Sequence, residues 1–120
     1  MNVTRIHADQ NGESHFEDIE IGLSPLAAAS SAAPLNVSSP VVAARMMFVQ
    51  LPPGWLEDWH PAPRRQYWVG ILGTVEVTVS DGERRRFGPG SVALLDDLAG
   101  KGHVTRAIGD HGVQAMFIQL

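Results

Sequence analysis

Two histidines and one glutamine in the second half of the chain have side chains suited to binding a metal ion or a small ligand: His60, Gln66 and His103. His103 follows the glycine-rich loop 100–102, and glycine allows one stretch of backbone to approach another closely. Imidazole nitrogens and an amide oxygen that converge inside a rolled sheet suit a divalent first-row metal such as Mn, Fe, Ni or Zn. The alternative is a metal-free pocket in which the two histidines only form hydrogen bonds.

Residues near this group predict further roles in a site. Asp58 precedes His60 by two positions, so an extended strand places both on one face, and its carboxylate is predicted to act as a ligand or catalytic base. Trp68 is predicted to form a pocket wall. Arg64 and Lys101 are candidates for contacting an anionic substrate group, with plain surface exposure as the alternative.

Short strands are the elements that must position these side chains. Residues 74–80 alternate between valines and polar residues, and Asp81-Gly82 then signals a tight hairpin turn. Apolar or alternating runs bounded by turn residues predict further strands at residues 15–23, 41–51, 67–72, 83–87, 92–95 and 113–120. The run at 41–51 reads as a buried strand. Turn signals at intervals of about 8–12 residues, without a long periodic helix, indicate an all-β sandwich or barrel.

Residues 26–40 read as a connector. Prolines interrupt this stretch, and its alanine- and serine-rich centre has room for one helical turn at most. The connector is nevertheless too apolar for a free linker. We therefore expect it to pack along the barrel or against a second subunit.

Composition narrows the class of protein. The chain has 120 residues and a net charge of −4, which fits one domain and argues against a general nucleic-acid binder. No apolar run approaches the roughly 20 residues that span a bilayer, and the N-terminus lacks a signal-peptide pattern, so the cytoplasm is the predicted location. Cysteine is absent, which excludes disulfides, thiolate metal sites and cysteine nucleophiles.

From Gly54 onward, the order of motifs resembles that of the cupin family. The first cupin motif contains a glycine, a His-x-His pair, a glutamate and a second glycine. Gly54, His60, Gln66 and Gly73 fall on this pattern, whereas Ala62 replaces the second histidine and Gln66 stands in place of the glutamate. The chain therefore departs from the family at two positions of its metal-binding set.

The second cupin motif begins at Gly90 and keeps its Gly-x-x-His ending at His103, with Ala107 in place of the family's asparagine. The resemblance, which covers residues 41–120, is to small single-domain cupins. It implies a double-stranded β-helix (jelly-roll) barrel at 41–120, preceded by an N-terminal extension at 1–40 that packs on the barrel or on a partner subunit.

The resemblance also implies a function. A divalent metal held by His60, Gln66 and His103 would leave a coordination position open for a small polar substrate, and lyase, isomerase and dioxygenase chemistry all occur on this fold. A metal-free small-ligand-binding or sensing domain is the alternative. The predicted partners are a small molecule and a second copy of the chain in a homodimer, with no nucleic acid and no membrane.

Overall fold

The computed structural model describes residues 1–26 and 33–120, and these residues form twelve strands and no helix. The all-β prediction is confirmed. Among the described residues there is no helix that is long and apolar enough to cross a membrane. The strands are β1 (Asn2–Ala8), β2 (Ser14–Glu20), β3 (Ser24–Leu26), β4 (Leu35–Val37), β5 (Arg45–Leu51), β6 (Leu56–His60), β7 (Gln66–Leu72), β8 (Thr74–Val79), β9 (Arg84–Phe87), β10 (Val92–Asp96), β11 (His103–Ile108) and β12 (Val113–Gln119).

Ten of these strands form two larger sheets that share one core. The six-stranded sheet has the order β2-β1-β10-β7-β12-β5, and the four-stranded sheet has the order β6-β11-β8-β9. Apolar side chains from both sheets, among them Ile6, Trp68 and Val77, pack in one buried cluster. Burying this common apolar face is what holds the two sheets together. Hydrogen bonds between the described strands do not join the two sheets into a continuous barrel, so the edges of both sheets are open.

The N-terminal segment contributes two strands where the sequence predicts one. β2 corresponds to the predicted strand at 15–23, whereas β1 has no sequence prediction. β1 lies between β2 and β10 and runs parallel to β10, with Val3 and Ile6 buried. Those two apolar residues are three positions apart, which is not the alternation of a half-buried strand, so the pattern gave no signal.

The described part of the connector contains the last residue of β3 and all of β4, two short strands that are largely exposed. β3 pairs with β4, and the residues of both strands are exposed or only partly buried. The predicted helical turn falls on residues 27–32, which lie outside the described residues.

β5 is an edge strand, which corrects the prediction of a buried strand at 41–51. Among the described strands, β12 is its single neighbour in the sheet. Phe48, on its outer face, is 72% exposed, whereas Val49 and Leu51 on the inner face are partly buried. An apolar run alone does not reveal that a strand lies at the edge of a sheet.

The turn between β1 and β2 is fastened to the opposite sheet. The two ring nitrogens of His15 lie 2.8 Å from Asp9 Oδ2 and 2.8 Å from Asp81 Oδ2. These hydrogen bonds, chiefly the one with Asp9, raise the pKa of His15. Next to it, Ser14 Oγ donates to the carbonyl oxygen of Gly102 at 2.6 Å. The contact fixes the loop that leads into His103.

Candidate functional site

A cavity of about 380 Å³ lies between the two larger sheets. Most of its wall is apolar, and four aromatic side chains contribute to it: Trp55, Trp68, Phe87 and Phe117. The polar lining residues are Glu57, His60, Gln66, His103, Thr105 and Gln119. Because His60 ends β6 and Gln66 begins β7, the short loop between these strands holds both at the same end of the cavity. The cavity therefore has a polar end and an apolar body.

The structure brings His60 and His103 together. They are direct cross-strand partners on β6 and β11, and their ring centroids are 4.7 Å apart. Gly102, with φ of 72°, makes this approach possible, because a Cβ there would collide with the backbone carbonyl of His60. The close approach that the sequence predicts for the 100–102 loop is present at Gly102.

Hydrogen bonds fix which nitrogen each imidazole offers to the cavity. His60 Nδ1 lies 2.7 Å from the main-chain oxygen of Asp58, which only accepts, so Nδ1 carries the proton. His103 Nδ1 lies 2.6 Å from Asp97 Oδ2, and both side chains are buried, with 2% and 0% exposure. With the carboxylate accepting this bond, the neutral form of each ring has its lone pair on Nε2.

A β-bulge changes which carboxylate faces the cavity. Between β6 and β11, His60 pairs with His103 but Glu57 pairs with Thr105, so the register shifts between these two pairs. The extra residue breaks the two-residue alternation of the strand. As a result Glu57 lines the cavity, with Oε2 at 3.4 Å from His60 Nε2.

Asp58 points elsewhere, which corrects the expectation that it shares a face with His60. It is not among the lining residues, and its exposed carboxylate accepts a hydrogen bond from Trp59 N at 2.8 Å. The bulge is the physical reason for this difference, because it turns the side chain at position 58 out of the inward row.

Two glutamine amides meet at the polar end. Gln119 Nε2 donates to Gln66 Oε1 over a long 3.4 Å. Gln119 is only 8% exposed, and its Oε1 has no hydrogen-bond partner within the described part of the chain. A buried acceptor without a partner costs about 1–3 kcal/mol. The alternation of Ala115, Phe117 and Gln119 on β12 is a sequence signal that would have found it.

The remaining predicted pocket residues separate into two groups. Trp68 lines the cavity. Arg64 is exposed and is absent from the lining, and Lys101 forms a surface ion pair with Glu13 at 2.5 Å. Both cations therefore lie outside the cavity wall. This corrects their prediction as pocket residues.

The side chains do not make a complete set of metal ligands. Ala62, buried where the family pattern has a second histidine, offers no donor. Within residues 1–26 and 33–120, no group of three or more His, Cys, Asp or Glu side chains is arranged to hold a metal ion. Two imidazoles and the neutral amide of Gln66 leave the charge of a divalent ion largely uncompensated. The donor set therefore does not fit a first-row metal well.

Comparisons with known proteins identify the fold. No family model and no curated protein matches the chain. A cupin 2 conserved barrel domain protein from Salinispora arenicola is 24% identical, with a TM-score of 0.51 over 82% of this chain and 73% of that one. The Schizosaccharomyces pombe Cnp3 cupin domain is 14% identical, with a TM-score of 0.51 over 98% of this chain and 85% of that one. The Drosophila melanogaster CENP-C cupin domain is 12% identical, with a TM-score of 0.50 over 95% and 85% of the two chains. Together with the motif order, these matches show that the chain has the all-β, jelly-roll fold of the cupin superfamily.

Proposed function

We propose that the protein binds a small organic molecule in the cavity between its two larger sheets. The observation that carries this proposal is a cavity of about 380 Å³ with an aromatic body and one polar end. Its volume falls in the range of about 300–1,000 Å³ that is usual for ligand pockets, which are also mostly apolar with a few oriented polar groups. The ligand would place an apolar body against Trp68 and Phe117 and a polar group near His60 and His103.

The orientation of the polar groups supports a binding role. His60 and His103 each form a hydrogen bond through Nδ1, so the orientation of both rings is already set before a ligand contacts their Nε2 atoms. Such preorganisation lowers the entropy cost of binding.

A cavity-filling variant tests the proposal. Val49 lines the cavity from the edge strand β5, and Gln50 is its exposed neighbour on the outer face. We expect Val49→Trp to abolish the binding of aromatic alcohols, amines and carboxylates in a ligand-observed NMR screen. Gln50→Trp adds the same side chain outside the cavity and should leave binding unchanged. A native protein that binds none of these fragments, or equal binding by both variants, would contradict the proposal.

Metal binding through His60, Gln66 and His103 is the second candidate and stays a prediction. One observation favours it: both imidazoles are oriented by a hydrogen bond at Nδ1, as metal-bound histidines usually are. The incomplete donor set opposes it. Elemental analysis of untagged protein decides between the two, because near-stoichiometric Mn, Fe, Ni or Zn that disappears in a His60→Ala, His103→Ala double variant would establish the metal.

A further inference from the structure

The charges around the cavity are unbalanced. The described lining residues include one carboxylate, that of Glu57, and neither lysine nor arginine. A second carboxylate, that of Asp97, lies buried behind His103. An anionic ligand such as a carboxylate or phosphate would therefore meet negative charge without a lysine or arginine to pair with. The electrostatics of this cavity favour a positively charged ligand group.

The acceptor atoms at the polar end point to the same conclusion. His60 Nε2 and Glu57 Oε2 are 3.4 Å apart, and neither carries a proton when the imidazole is neutral and the carboxylate is ionised. Two lone pairs at this distance repel each other unless a donor lies between them. In the imidazolium form a proton on His60 Nε2 relieves this repulsion. In the neutral form a bound N–H donor relieves it, because Nδ1 of His60 is already used by the backbone.

The second imidazole of the cavity adds another acceptor. In its neutral form His103 has a lone pair at Nε2, because its Nδ1 is held by Asp97. A ligand that donates several hydrogen bonds would satisfy these atoms, whereas one that only accepts would satisfy none of them.

We propose that the ligand of this cavity is a small apolar molecule carrying a protonated amine. An ammonium group has N–H donors for imidazole nitrogen, carboxylate and amide oxygen, and its single positive charge matches the single lining carboxylate of Glu57. The aromatic side chains of Trp68 and Phe117 suit the apolar body, and they also tolerate a neighbouring cation. The inference rests on the proposed small-molecule function and names the ligand class.

Three probes of similar shape and different charge test this inference by calorimetry at neutral pH: 2-phenylethylamine, 2-phenylethanol and phenylacetate. We expect the amine to bind the native protein at least about tenfold more tightly than the alcohol, and phenylacetate to bind most weakly. Glu57→Gln should remove the advantage of the amine and leave the alcohol unchanged. Glu20→Gln makes the same change in net charge on an exposed residue of β2 and should keep the advantage.

The outcomes separate this inference from the proposed function. Equal binding of amine and alcohol, tighter binding of phenylacetate, or an amine preference that survives Glu57→Gln would overturn the amine inference. If the alcohol still binds and Val49→Trp blocks it, the small-molecule function stands without that inference. If none of the three probes binds the native protein, both are overturned. Glu57 is half exposed, so its replacement should not disturb folding, and thermal unfolding checks this.

Discussion

Replacing Gly102 by alanine tests how the fold brings His103 beside His60. Gly102 has φ of 72°, a conformation that costs an alanine about 1–2 kcal/mol. The new Cβ would also collide with the main-chain carbonyl of His60 and the nitrogen of Pro61. Because both are backbone atoms, no side-chain rotation relieves the clash. Adding about 1–3 kcal/mol for overpacking gives an expected loss of about 3 kcal/mol in the free energy of unfolding.

Gly54 provides a matched control. Its φ is 73°, almost the same as that of Gly102, but a Cβ there meets nothing within 4 Å. Gly54→Ala should therefore cost only the backbone term of about 1–2 kcal/mol. Urea unfolding of both variants, followed by circular dichroism and tryptophan fluorescence, measures the difference, which we expect to be about 2 kcal/mol. Equal losses in the two variants would refute the claim that close backbone approach at Gly102 sets the histidine pair.

Three further predictions concern separate parts of the molecule. The pKa of His15 is raised in the folded state, so its contribution to stability is complete below about pH 6.5 and is lost as pH rises through the folded-state value. In urea unfolding, His15→Gln should therefore lower the stability more at about pH 5.5 than at about pH 9. The opposite order would contradict the stabilising role of the contacts between His15 and the carboxylates of Asp9 and Asp81. Asp97→Ala should lower the free energy of unfolding by about 1–3 kcal/mol in the same urea assay, because it leaves the buried Nδ1–H of His103 without an acceptor. An unchanged urea midpoint would contradict the predicted hydrogen bond between Asp97 and His103. If two copies associate through the outer face of β5, light scattering should give twice the 13.0 kDa monomer mass. Replacing the exposed Phe48 by serine should then restore the monomer. A native protein that is monomeric would contradict the homodimer prediction.

Much of the site follows from residue order and local glycine chemistry. His60, Gln66 and His103 line one cavity because the predicted strands and the 100–102 loop exist as the motifs indicate. Trp68 joins them because it lies two residues beyond Gln66 on the same strand face. These features depend on short-range patterns that one sequence displays.

Other features depend on long-range geometry and are not visible in the sequence. The bulge that turns Glu57 inward and Asp58 outward arises from a register shift against β11, which local alternation does not encode. Whether the apolar run of β5 lies at the centre or the edge of a sheet depends on partners far away in the chain. The carboxylate at the cavity is therefore that of Glu57 and not that of Asp58, which the sequence predicts.

The protonation of the two imidazoles tests the central claim most directly, because the proposed function requires both Nε2 atoms to act as acceptors facing the cavity. Long-range ¹H–¹⁵N correlation spectra of histidine-labelled protein at about pH 8.5 report which nitrogen carries the proton in a neutral ring. We predict the Nδ1-protonated form for both His60 and His103. A spectrum that places the proton on Nε2 of either ring would contradict the account.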